Sequence, residues 1–353
     1  MQALLLRINS KDPESTKIRI AASAIRRGGI VVFPTETVYG IGANALDRKA
    51  CEGIFRAKGR ERDNPLIVHV DGMAMAERIA LVPEKYRKFI EKTWPGPVTF
   101  VMRARSALPK VVTAGRKTVA VRMPANRIAL ALIRESGVPI AAPSANKSKM
   151  PSSTSAAHSM RYFGETADVI IDGGKARIGL ESTVVDLRSF SLLRPGAMTA
   201  ERIERVFGRK LNMLHEKKVR SGGAPPSPGM KYKHYAPEKP LFLFEGRAAA
   251  LAPILKKTGR KAAFIGSSES CMKLHGIAVC ISLGSARSQA AVARNLFDAL
   301  IKVDSVGAEF AVIESFGERG IGLAIMNRIR KASDNKSFRS MKELEALLSQ
   351  AGY

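Results

Sequence analysis

The sequence predicts an α/β protein: an N-terminal α+β domain on a twisted mixed sheet and a C-terminal Rossmann-like parallel α/β domain, joined by a long linker. Three observations predict it. The chain has 353 residues, which suits two domains of roughly 100–200 residues each. A stretch dense in Gly, Pro and Lys, 211–240, breaks the apolar periodicity, and a connection that long is usually functional. After it strand and helix patterns alternate regularly; before it they do not. The boundaries follow at 1–210, 211–240 and 241–353.

In the first part, Thr16–Arg27 reads as a helix that Ser15 or Thr16 can cap and Gly28-Gly29 stops. Asp47–Lys58, Pro83–Lys92, Arg127–Glu135 and Thr199–Phe207 are further helices. Strands are expected at Ile30–Phe33, Pro65–Val70, Val98–Arg103, Thr118–Met123, Val138–Ala142, Val169–Asp172, Thr183–Leu187 and Ser191–Leu193. Beyond the linker, strands Leu241–Phe244, Lys261–Ile265, Ala278–Ser282 and Phe310–Glu314 alternate with helices Ala248–Lys257, Ser288–Val303 and Ile321–Lys331. That alternation is the mark of a parallel sheet. The dinucleotide fingerprint G-x-G-x-x-G is missing after the first of these strands.

Hydrophobic residues make up 45% and charged residues 25% of the chain, which excludes disorder and coiled coil. No apolar run reaches the roughly 18 residues of a membrane span, and Ala3–Leu6 is too short for a signal peptide, so a cytoplasmic protein is expected. The three cysteines are widely spaced and the five histidines form no H-x-x-x-H pair, which predicts neither a disulfide framework nor a protein-held metal. The net charge of +27 favours polyanionic partners such as nucleotides or nucleic acid. It is spread over both halves, so a generally basic surface explains it as well as a nucleic-acid stripe does.

Four stretches carry more polar detail than folding needs. Phe33-Pro34-Thr35-Glu36-Thr37-Val38-Tyr39-Gly40 follows a strand and reads equally as a ligand loop or a hydroxyl-satisfied turn. Lys58-Gly59-Arg60-Glu61-Arg62 ends a helix; its cations suit either the helix dipole or a phosphate clamp. In Thr118–Arg122 alternation puts Thr118, Ala120 and Arg122 on one face, as in a strand lining a cavity. Ala142-Pro143-Ser144-Ala145-Asn146 is again a strand end with a polar loop.

Together with Trp94-Pro95-Gly96-Pro97, Leu180-Glu181-Ser182-Thr183 and Leu193-Arg194-Pro195-Gly196, these segments resemble the YrdC family in the same order. Pro228–Pro237 and the α/β domain resemble the longer, two-domain threonylcarbamoyl-AMP synthases, so the likeness spans the chain. It implies a nucleotidyltransferase that makes L-threonylcarbamoyladenylate and pyrophosphate from ATP, L-threonine and bicarbonate, with Mg²⁺ arriving on ATP. It also implies a downstream tRNA threonylcarbamoyl transferase complex as partner; direct tRNA contact stays open, and no membrane is involved.

The resemblance assigns Thr35, His69, Arg122, Ala142 (by its backbone) and Ser182 to threonine. It assigns Lys58, Arg60, Arg62, Thr118, Ser144, Asn146, Ser152 and Arg194 to the nucleotide, with Lys58 and Arg60 as the catalytic cations. The linker, with Lys231, Lys233, His234 and Tyr235, is expected to act as a lid that brings Tyr235 or His234 to the phosphates. Two departures stand out: Glu61 replaces the usual Pro after Lys-x-Arg, and Ser148–Thr154 departs enough to leave Ser152 and Ser153 as alternatives. The competing readings are an RNA-binding module without chemistry and a carbamoyltransferase of the hydrogenase-maturation type. The second is disfavoured because this chain lacks that family's cysteine zinc motifs and acylphosphatase-like domain.

Overall fold

The structure, a computed structural model, describes residues 2–213 and 235–352. By its contacts the chain falls into two units, Met1–Ser148 with Ser152–Tyr232 and Lys149–Pro151 with Lys233–Tyr353. The first unit runs β1 (Leu4–Arg7), α1 (Ser15–Arg26), β2 (Val31–Phe33), β3 (Gly40–Asn44), α2 (Arg48–Lys58), β4 (Ile67–His69), α3 (Met73–Ile79), β5 (Ala80–Leu81), α4 (Glu84–Thr93) and β6 (Val98–Ala104). It continues through α5 (Lys110–Thr113), β7 (Thr118–Arg122), α6 (Arg127–Ser136), β8 (Ile140–Ala141), α7 (Ala156–Phe163), β9 (Val169–Asp172), β10 (Thr183–Asp186), β11 (Ser191–Arg194), α8 (Ala200–Phe207) and β12 (Asn212–Met213).

These strands form one mixed sheet in the order β1-β9-β2-β3-β8-β4-β7-β6-β10-β11-β12, with β5 beside β6. Parallel and antiparallel pairs are mixed along it, as the irregular sequence pattern predicts. The helices are more numerous than the sequence suggests, because α3, α5 and α7 are too short to show a clear period. The first helix begins at Ser15, with Glu14 rather than Ser15 or Thr16 at the N-cap position. Glu14 offers no side-chain cap, since its carboxylate accepts from the Asn9 amide and pairs with Lys17.

Strand β3 was not expected because Gly-Ile-Gly-Ala-Asn carries little strand propensity. Its glycines answer to packing instead: a Cβ on Gly42 would come within 2.6 Å of Ile140 and 2.7 Å of Phe33. The close approach lets β3 sit between β2 and β8, and so places the Thr35–Tyr39 loop beside Ser144.

The second unit holds β13 (Leu241–Phe244), α9 (Ala248–Lys257), β14 (Ala262–Gly266), α10 (Ser268–Lys273), β15 (Val279–Ser282), α11 (Gln289–Lys302), β16 (Phe310–Glu314), α12 (Gly322–Ala332), β17 (Ser337–Phe338) and α13 (Met341–Gln350). All five strands are parallel, in the order β15-β14-β16-β13-β17. The Rossmann-like expectation holds. Strands β13 and β14 and most of β16 are buried on both faces, which is why they read as continuous apolar runs. Phe242, Phe244, Phe264, Phe310 and Phe338 form the centre of the core against α9 and α13.

Candidate active site

Register places the first group of candidate residues. Strands β4 and β7 run parallel with His69 opposite Arg122, so the two side chains stand next to each other near the strand ends. Both are buried. Burial, with the Arg122 charge alongside, pushes the His69 imidazole down to about 3, so the ring is neutral at physiological pH. All five residues of β7 are buried, so its alternation separates two interior faces rather than core from solvent. The Arg122 Nε donates to the Gly96 carbonyl at 3.3 Å, and one terminal nitrogen lies 2.8 Å from Glu36 Oε2.

Glu36 sits in the Thr35–Tyr39 loop after β2. The Thr35 hydroxyl donates to the Val38 carbonyl at 2.6 Å and pairs with the Thr37 hydroxyl at 2.8 Å, so the hydroxyl-satisfied turn is present. The loop is also clamped from two sides. Ile178 and Gly179 donate their amides to the Glu36 and Thr37 carbonyls. Tyr39 donates to Ser153 O, and Ala145 donates to Tyr39 O. A turn held by two other loops is rigid enough to present side chains to a ligand.

The second group is cationic. The Lys58 ammonium donates to the carbonyls of Ser144 (2.6 Å) and Asn146, which uses two of its three protons on the Ser-x-Asn loop. The Ser144 hydroxyl in turn donates to Asn146 Oδ1 at 2.6 Å. Burial, with Arg60 and Lys147 nearby, pushes Lys58 well below the usual lysine range. An anion placed against these three cations would favour the charged ammonium, and by the same linkage the cations favour the anion. Arg60 is tied by its guanidinium to the carbonyls of Asn64 and Pro65. Arg62 and Glu61 are both exposed.

In the third group Arg194 donates to the Ser182 carbonyl at 2.9 Å, and the Ser182 hydroxyl pairs with Thr99 at 2.8 Å. This needs the Pro195-Gly196 turn to run close against the chain at 181–183. A Cβ on Gly196 would lie 2.5 Å from backbone atoms of Glu181, Ser182 and Thr183. Ser152 donates to Glu181 at 2.8 Å and Ser153 to the Ala145 carbonyl; both are fully buried, so burial does not separate the two alternatives.

Thr118 is buried at the start of β7, and the Ala142 amide is committed to the Ile67 carbonyl at 2.9 Å. Tyr235 lies in the second unit, where its ring centroid is 5.1 Å from that of Phe297 and 5.8 Å from the Arg328 guanidinium. Lys231, Lys233 and His234 lie outside the described residues. The sequence reading omitted Glu36, Thr99, Lys147 and Glu181 from the site. Only Glu36 had a visible signal, a charged residue between two threonines after a strand. A cavity of about 390 Å³ opens beside it, lined among others by Thr35, Asn126, Arg127, Lys175 and Arg177.

A mixed-sheet domain with these segments, followed by a parallel α/β domain, defines the chain as a two-domain enzyme of the YrdC type. A family model described as Telomere recombination matches residues 23–196, and one described as Threonylcarbamoyl-AMP synthase, C-terminal domain, matches residues 198–334. A threonylcarbamoyl-AMP synthase of Pyrococcus abyssi is 46% identical over 332 residues, covering 91% of this chain and 95% of the relative. One of Bacillus subtilis is 41% identical over 344 residues, covering 94% and 96%. The crystal structure of P. abyssi Sua5 complexed with L-threonine matches with a TM-score of 0.88 at 43% identity, over 96% of this chain and 100% of that one. The chain belongs to the threonylcarbamoyl-AMP synthase family. Among the described residues no helix is long and apolar enough to cross a membrane.

Proposed function

We propose that this chain forms L-threonylcarbamoyl-AMP and pyrophosphate from L-threonine, bicarbonate and ATP. The observation that carries the reading is the presence, in one unit, of a buried arginine beside a neutral histidine and of a separate cluster of Lys58, Arg60 and Lys147 over the Ser144–Asn146 loop. The first arrangement suits an amino-acid carboxylate and the second a polyphosphate. Arg122 holds the threonine carboxylate, with Thr35, His69, Ser182 and the Ala142 carbonyl around it. Lys58, Arg60, Arg62, Thr118, Ser144, Asn146, Ser152 and Arg194 hold the nucleotide. Tyr235 joins them from the linker's end.

Threonine carbamate then attacks the α-phosphate as pyrophosphate leaves. All reacting groups are anionic, so fixed positive charge and alignment supply the catalysis. Mg²⁺ enters with ATP, its coordination filled mainly by phosphate oxygens and water. The product passes to a tRNA threonylcarbamoyl transferase complex in the cytoplasm. The test is pyrophosphate release from Mg-ATP with L-threonine and bicarbonate, then with each omitted, and with Arg122→Ala. Release that needs both small substrates and disappears in the variant is the expected result. A folded protein that releases none and binds tRNA would instead favour the RNA-binding reading, to which the charge of +27 points.

A further inference from the structure

Glu36 has no role in the scheme above, and its surroundings are unusual for a carboxylate. Its side chain is 2% exposed, yet neither oxygen has a hydrogen-bond partner among the described residues. The Arg122 nitrogen 2.8 Å away is out of line for a hydrogen bond and likewise has none. A buried pair left so poorly satisfied is costly unless other groups complete it. Glu36 also belongs to the lining of the cavity of about 390 Å³, whose other charged residues, among those described, are Lys11, Arg127, Lys175 and Arg177. Among the described residues it is the single acidic one in that lining.

One cation and one anion side by side, each with bonding capacity to spare, complement a zwitterion. We infer that Glu36 receives the α-ammonium of the amino-acid substrate and takes the proton it must lose before carbamate can form. This rests on the proposed reading in which Arg122 holds the α-carboxylate. The ammonium passes one proton to Glu36, leaving a free amine and a carboxylic acid. The amine lone pair forms the N–C bond to bicarbonate, whose C–OH bond breaks; the departing hydroxide takes the second amine proton and leaves as water. Glu36 then releases its proton to solvent. Arg122 from β7 pairs with Glu36, Lys11, Arg127, Lys175 and Arg177 line the same cavity, and neutral His69 stands beside Arg122 on β4.

The probes are L-threonine and (R)-3-hydroxybutyrate, which lacks only the amine, bound to the full chain in calorimetry. Wild type should prefer threonine at least tenfold, and Glu36→Gln should bring the two within twofold. The wild-type advantage over Glu36→Gln in pyrophosphate release should shrink at least fivefold from pH 7 to pH 9, as solvent supplies the free amine; a purely structural role would leave it constant. Unchanged selectivity, or a constant advantage, overturns the inference. If the variant does not fold, equal wild-type affinity for the two probes overturns it alone. Arg122→Ala separates the two failures: retained threonine affinity there defeats the site reading itself, whereas lost affinity with unaltered Glu36→Gln selectivity defeats only this inference.

Discussion

The two units bury different things. The first encloses Glu36, Lys58, His69, Arg122, Glu181, Asp186 and Arg194, each no more than 6% exposed. The second encloses a phenylalanine-rich core, and among its described residues Arg328 is the one buried charge. Burying charges costs stability that apolar packing would not. On the proposed reading the first unit accepts the cost of burying these seven groups for binding and catalysis, whereas the second is built as an ordinary apolar core. The contrast supports the proposed reading, in which nearly all substrate-binding residues belong to the first unit.

Substitutions can break or sharpen this contrast. Arg122→Ala should lower kcat/KM for pyrophosphate release about a thousandfold, roughly 4 kcal/mol of transition-state stabilisation; a loss under tenfold would show the buried arginine to be structural. Phe264→Ala, in the centre of the second core, should cost about 3–5 kcal/mol of that unit's stability by denaturant unfolding and leave L-threonine affinity within twofold. A matching loss of affinity would end the separation of roles.

The His69 prediction concerns pH. Its folded pKa of about 3 lies below the ordinary 6.5, so the unfolded chain binds the proton first. The stability is complete above pH 6.5 and is lost as pH falls toward 3. At pH 4 the loss is about 3 kcal/mol. His69→Gln should remove that part of the acid slope in chemical denaturation; an unchanged slope would assign it to carboxylates. Smallest is Ser144→Ala, which removes the 2.6 Å bond to Asn146 and should weaken ATP binding about fivefold, near 1 kcal/mol. Calorimetric titration of ATP checks it.

Local pattern was legible where an element's period or cap lies within a few residues. Helix α2 was expected from Asp47 to Lys58, and Asp47 caps it through the Ala50 amide. Strands of the second unit were expected from their alternation with helices, and β13 and β14 are runs of neighbouring buried residues. Elements held by distant partners were not. Gly42 makes a strand only because Ile140 and Phe33 leave no room for a side chain. Helix α10, only 6 residues long between β14 and β15, and helix α13, beyond the last expected helix, were passed over. In the site, the Lys58, Ser144 and Asn146 set was named from sequence, but the bonds from Lys58 to the loop carbonyls were not.

The sequence by itself determined the two-part architecture, the positive charge and which short segments bear polar side chains, because composition, periodicity and turn chemistry act over neighbouring residues. Only the tertiary structure decided which of those side chains meet. Strand register set His69 beside Arg122, and backbone bonds from Ala145, Ser153, Ile178 and Gly179 hold the loop that sets Glu36 against it. Such contacts join residues as far apart in sequence as Glu36 and Ile178. They depend on sheet order and backbone hydrogen bonding that no local pattern encodes.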